Sequence, residues 1–371
     1  MKTYKTLFVA VSLGCAALTA HAELLIGQIA GFTGAIAASS KESLAGAKLY
    51  IDSVNAQGGI NGEKIELIVM DDKFDPKLSA PAAETLIKQK NVLALFMNRG
   101  TAHVEVILPL MAQYGVPLIA PTSGAMVLRQ PFNKLIFNLR ASHQREAEKA
   151  IAYLKVVGVT QISVVYVDDS FGTDILEGAK RGFEVEKLTP VAIIKADRDK
   201  PDLKAIVDTL VKSRPQAVVW IGASAVVAKG VKALRAAGSS MQVITMSNNA
   251  SGGFIKLLGD QARGVIVAQV FPSERAVAYG MIREAQDLAK ASGETDLLSP
   301  IFVEGYCGAK LMVEALRRAG PKPTRQSLVK ALENLRRYDM GGLEINYTPA
   351  NHNGMDFVEL SIIGADGRFL R

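Results

Sequence analysis

Two short stretches carry side chains able to hold a small anion: Asn98-Arg99-Gly100-Thr101 and Pro121-Thr122-Ser123-Gly124. Thr101, Thr122 and Ser123 supply hydroxyl donors, the turns supply backbone N–H groups, and Arg99 supplies a fork that can clamp a carboxylate through two parallel hydrogen bonds. An acid group leaving water costs several kcal/mol unless compensated. Hydrogen bonds to a charged group return about 1.5–3 kcal/mol each, and a helix N-terminus adds roughly 0.3–2 kcal/mol. A micromolar site needs about 8 kcal/mol net, so two amides and a hydroxyl suffice without formal charge. The same residues have plainer readings: Thr101 as a helix N-cap, Thr122 to Gly124 as an ordinary turn, and Arg99 as a rim residue or a salt bridge across lobes.

Bond-making chemistry finds no such support. The chain has no G-x-S-x-G turn, H-E-x-x-H helix, Walker loop or Cys-x-x-Cys pair. His103, His143 and His352 are far apart in sequence, and a nucleophile needs a base beside it. Neither a catalytic residue nor a metal or cofactor is expected.

The two turns need a scaffold. Leu93 to Arg129 reads as a buried strand, a turn, a helix kinked by Pro109, a short strand from Pro117 to Ala120, and a second turn. Both turns therefore lie at the carboxyl ends of strands, where open α/β sheets bind ligands. Before them come a strand Leu24–Ile29, a helix over 40–55, a strand Ile65–Met70 and a helix from Pro76 to Gln89. From Ile162 the strand–helix alternation begins again, with strands at Ile162–Val167, Val191–Ile194, Ala217–Ile221 and Gln242–Met246. Ser273 to Arg337 is mostly helical, and Phe357–Ile363 is a final strand. The fold class expected is α/β, with two doubly wound Rossmann-like lobes. Crossings at Phe137–Arg140, Val267–Phe271 and Met340–Gly342 make a three-segment hinge. Lobe 1 is expected over 23–138 and 272–340, and lobe 2 over 139–271 and 341–371.

The chain has 371 residues, 49% of them apolar, enough for two cores. Lys2 and Lys5, an apolar run from Leu7 to Leu18 and an Ala20-His21-Ala22 site read as a signal peptide over residues 1–22, with a mature chain starting at Glu23 in the periplasm. Gly14-Cys15 also suggests lipidation, but Ser12 sits where an aliphatic residue is required for it. Cleavage leaves Cys307 as the only thiol, read as a small buried hydrophobe. The net charge of +7 is scattered, without the aromatic–basic stripe of a nucleic-acid binder. A monomer is expected.

The run Asn55-Ala56-Gln57-Gly58-Gly59-Ile60-Asn61-Gly62-Glu63-Lys64-Ile65, followed by Asp71-Asp72 and Asp75-Pro76, resembles the signature of type I periplasmic binding proteins. More narrowly, the chain is similar to the leucine/isoleucine/valine-binding family that delivers substrates to ABC permeases. Gly115-Val116-Pro117 and Asp168-Asp169-x-Phe171-Gly172 match as well, and the likeness covers nearly the whole mature chain. It implies an amino acid or related small carboxylate held between two closing lobes. Its carboxylate would meet Thr101 and the Thr122–Gly124 turn, with Phe171 as an aromatic wall. The family's acidic residue for the ligand ammonium falls near Asn248 and Asn249, where no carboxylate stands. Ser39 and Ala223 occupy positions that are aromatic in the family, and Arg99 one that is apolar.

Two ligand classes follow. An α-amino acid requires some acid at the ammonium, and Glu304, before a helix opening at Gly305, is the replacement expected. If Arg99 and the two asparagines dominate, the ligand is a carboxylate without an amine, aromatic or short aliphatic. A sensor that presents its closed form to a membrane receptor has the same fold and cleft, so it remains the alternative to transport; an exported enzyme is the least favoured reading.

Overall fold

A computed structural model describes residues 23–370. The expected signal peptide, Cys15 included, lies outside the described residues. The first half runs β1 (Leu24–Ala30), α1 (Ala37–Ala56), β2 (Ile65–Asp71), α2 (Pro76–Glu84), β3 (Ala94–Phe96), α3 (Thr101–Glu105), α4 (Leu108–Tyr114), β4 (Leu118–Ile119) and β5 (Ile136–Phe137). The second runs α5 (His143–Val156), β6 (Ile162–Val167), α6 (Ser170–Val185), β7 (Ile193–Ala196), α7 (Leu203–Ser213), β8 (Ala217–Ile221), α8 (Ser224–Ala236), β9 (Gln242–Thr245), α9 (Gly252–Leu258) and β10 (Ile266–Gln269). Then come α10 (Gly280–Ser292), α11 (Pro300–Ala319), α12 (Arg325–Glu333), β11 (Tyr338–Asp339), β12 (Glu344–Ile345), β13 (Glu359–Ile363) and β14 (Phe369–Leu370).

The strands form two open sheets. One has the order β2-β1-β3-β4-β5, parallel throughout. The other has the order β14-β13-β10-β9-β8-β6-β7, parallel from β7 to β10 and antiparallel at β13 and β14. The central strands are apolar on both faces, as helices on both sides of a sheet require; every residue of Ala217-Val218-Val219-Trp220-Ile221 is buried. Two lobes of α/β type result, as expected.

Local departures from the sequence reading have local causes. The helix expected from Pro76 to Gln89 loosens in its last turn, where Thr85–Gln89 winds with the wider i→i−5 pattern and Lys90 N–H donates to the Thr85 carbonyl. Pro109 splits the helix after Thr101, since its ring starts α4 afresh. The second strand of the second sheet, in chain order, sits at Ile193–Ala196 rather than Val191–Ile194. The β11–β12 ribbon and the short β14 escaped notice because two-residue strands leave no periodicity to read.

The Asn55–Ile65 signature is structural. The Asn55 amide donates to the Ile65 carbonyl and its oxygen accepts from the Ile65 N–H, both at 2.9 Å, which locks the end of α1 to the start of β2. Asp71 likewise accepts from Phe32 N–H and Thr33 Oγ1 at 2.8 Å, fixing the loop after β1.

In the first lobe, α1 and α11 pack backbone against backbone. A Cβ on Gly46 would lie 2.0 Å from the Phe302 carbonyl oxygen, and one on Gly305 would lie 1.9 Å from that of Ser43. Two glycines facing opposite helices let the axes approach more closely than any side chain permits. Gly305→Ala should therefore overpack this crossing and cost about 1–3 kcal/mol, read as a lower urea midpoint of the purified chain. An unchanged midpoint would show that the helices separate without penalty.

Candidate functional site

Between the lobes lies a cavity of about 300 Å³, the lower end of the roughly 300–1,000 Å³ typical of small-ligand sites. From the first lobe Ile36, Phe74, Arg99, Thr101, His103 and Ser123 face it; from the second come His143, Asp169, Phe171, Trp220 and Asn248.

The two small-residue turns form its polar wall. Thr122 N–H donates to the Asn98 carbonyl at 3.1 Å, and the Thr101 and Ser123 hydroxyls share a hydrogen bond of 2.9 Å. Loops after β3 and β4 are thereby clamped into one surface. Gly100 is essential to it: its φ is +97°, and a Cβ there would lie 2.4 Å from His103 Nδ1.

Arg99 is 6% exposed and makes no ion pair among the described residues. Its Nη2 donates to Ser39 Oγ at 3.1 Å and to the Asn248 carbonyl at 3.2 Å, while Nη1 has no hydrogen-bond partner. Burial draws its pKa down to about 10, so it stays cationic at neutral pH. His103 stacks on Phe74 with ring centroids 4.6 Å apart. Burial, with the Arg198 charge nearby, holds its pKa at about 4, so it is neutral. At the mouth, Arg198 of the second lobe pairs with Asp169 at 2.9 Å and lies over the Phe74 ring of the first.

Of the residues singled out in the sequence, Arg99, Gly100, Thr101, Thr122, Ser123, Phe171 and Asn248 line the cavity. Four others sit behind it. Ser39 accepts from Arg99 and so orients the guanidinium rather than facing the cavity. Gly124 is covered by His143, whose N–H donates to its carbonyl at 2.9 Å. Asn249 is fully buried on Ser224, Thr245 and the Gly222 carbonyl. Glu304 pairs with Arg140 at 3.1 Å. The helix carrying it opens at Pro300 with Ser299 as its cap, not at Gly305, because the Ser299 hydroxyl accepts from Phe302 N–H. Glu304 is thus in the second turn, turned toward the hinge.

Several lining residues were missed. Phe74 follows β2 and Arg198 follows β7, so the rule applied to β3 and β4 would have marked them too. Trp220, on the all-apolar strand β8, is buried and still forms part of the cavity wall. Nothing local in the sequence marks His143, which is placed by the first crossing.

That crossing carries a buried ion cluster. Arg140 donates from Nη1 to Glu304 of the first lobe, and from Nη2 to Glu146 of the second at 2.6 Å and to Ser247. Glu146 also accepts from Ser247 N–H at 2.9 Å and meets His143 Nδ1 at 3.1 Å. Burial pushes the Glu146 carboxyl up, but Arg140, His143 and the Ser247 amide outweigh it and hold the pKa at about 2. Beside it two segments of chain run together: Asn138 N–H donates to the His352 carbonyl, Gly354 N–H to that of Asn138, and Met355 N–H to that of Leu139.

A family model described as periplasmic binding protein matches residues 23–361. The Leu/Ile/Val-binding protein homolog 3 of Brucella melitensis is 23% identical, over 90% of this chain and 89% of its own. The Leu/Ile/Val-binding protein BraC3 of Rhizobium johnstonii is 28% identical over 55% of each chain. A crystal structure of a substrate-binding periplasmic protein from Ralstonia solanacearum superposes with a TM-score of 0.86 at 32% identity, covering 94% of this chain and 99% of that one.

Arg140→Met should leave two buried carboxylates unpaired and cost about 3–5 kcal/mol, measured by urea unfolding at pH 7. Adding Glu146→Gln and Glu304→Gln should recover part of it. Because the folded pKa of Glu146 is depressed, its contribution is present above the ordinary carboxyl value near 4.5 and is lost as pH falls toward 2. The gap between wild type and the triple variant should close over that window.

Proposed function

This chain belongs to the periplasmic binding protein family, and from that premise we propose that it is the substrate-binding component of an ABC transporter. It binds an amino acid or related small carboxylate between its lobes, closes by hinge motion and offers the closed form to a membrane permease. In this reading it is exported, with the leader removed after Ala22, acts as a monomer, and catalyses no reaction.

The observation that carries the reading is a cavity walled by both lobes, with a cation lacking an ion-pair partner among the described residues and a hydroxyl pair on one side. A site whose contacts come from two lobes ties binding to closure, since the bound solute favours the state in which both walls meet it. We propose that the lobes divide after Asn138 and after Phe271. The third crossing is placed between Tyr347 and Glu359, later than the Met340-Gly341-Gly342 turn, because Met340, Ile345 and Tyr347 pack in the first lobe's core and β13 joins the second sheet.

Thermal-shift screening of the mature chain against amino acids and small organic acids is the test. A ligand at 100 times its Kd stabilises by about 2.7 kcal/mol. Thr101→Ala removes a hydroxyl worth about 1.5–3 kcal/mol to a charged ligand, so affinity for the hit should fall tenfold or more by calorimetry. No stabilisation by any solute, or a hit indifferent to Thr101→Ala, would overturn the site.

A further inference from the structure

We propose that the cleft selects monocarboxylates that carry no α-ammonium group, an inference that rests on the binding function above and names its substrate class. What decides the class is which charged groups around one cavity are still free to meet a solute.

On the cationic side, Arg99 lies in the cavity wall and forms no ion pair among the described residues. Glu304 and Glu42 stabilise its charge without touching it, its two hydrogen-bond acceptors, Ser39 and the Asn248 carbonyl, are neutral, and its Nη1 has no partner. His103 contributes no charge, and Arg198 at the mouth already pairs with Asp169. The unpartnered Nη1 of Arg99 is a buried donor from which one carboxylate can accept.

On the anionic side, the acids near the cleft are engaged elsewhere. Glu304 receives Arg140. Asp169 accepts from Gly172 N–H at 2.9 Å with one oxygen and pairs with Arg198 through the other. Glu42 accepts from the Gly252 and Gly253 amides and from Ser299, at 2.7 to 3.0 Å. Asp197 and Asp199 stand at the exposed edge, in water, where Asp197 accepts from the Asp199 and Lys200 amides. At Asn248 the side-chain amide is held by the Gly222 carbonyl and Asn249, with no carboxylate beside it. The ammonium of a zwitterionic amino acid would therefore be stripped of water with no buried carboxylate free to receive it. The rest of the wall, including Ile36, Phe74, Val167, Phe171, Ile221 and Val226, suits an apolar body.

The test compares matched pairs on the mature wild-type chain by calorimetry: leucine with 4-methylpentanoate, phenylalanine with 3-phenylpropanoate, and phenylglycine with phenylacetate. The acid should bind at least tenfold more tightly in every pair that binds. Equal or tighter binding of any amino acid overturns the inference while leaving the binding function intact; no binding by either member of any pair overturns both. A second arm uses Asn248→Asp, which sets a carboxylate beside Arg99. It should weaken the acids at least tenfold and narrow or reverse the preference, with an unliganded melting curve confirming the fold. Unchanged acid affinity in that folded variant also overturns the inference, and the wild-type pairs decide the matter if the variant does not fold.

Discussion

The molecule depends on one buried guanidinium. Arg140 sits on the first crossing, and its two terminal nitrogens reach a carboxylate of each lobe, Glu304 and Glu146. All three side chains are almost fully shielded from water, so each charge is tolerable only because the others are there. The arrangement sets where the lobes join. It also places His143 and Ser247, the two second-lobe groups that carry the cluster toward the cavity.

The cavity repeats that chemistry with one member missing. Arg99, like Arg140, is buried, and both lie at the junction of the lobes. Arg140 has two carboxylates within ion-pair distance, whereas Arg99 has none among the described residues. Packing the same cation in two settings, one complete and one open, separates a structural element from a recognition element. The open setting is preorganised: Ser39 and the Asn248 carbonyl hold the guanidinium before any solute arrives, so little rotamer freedom is lost on binding.

Much of this was legible in the residues and some was not. Alternating strands and helices announced two parallel sheets, and the turns after β3 and β4 were found because strand ends and hydroxyl-rich turns are local signals. Five residues selected on those grounds line the cavity, with Phe171 and Asn248, which the family resemblance supplied. Glu304 and Asn249 were misplaced for a nonlocal reason: their partners, Arg140 and Ser224, lie 164 and 25 residues away. A carboxylate's availability depends on what reaches it first, which no spacing reveals. Phe74 and Arg198 meet across the lobes only once the chain has closed on itself.

The hinge has a mechanical character of its own. Residues 138–139 and 352–355 run side by side, tied by main-chain hydrogen bonds and by the Tyr347 hydroxyl, which donates to the Asn138 carbonyl at 2.9 Å. Such a ribbon flexes across its face but resists sliding in its plane, because sliding would shear several bonds at once. Under the hinge motion proposed for this chain, opening would be confined to something near a single angular coordinate, and each return stroke would bring the jaws back in the same alignment.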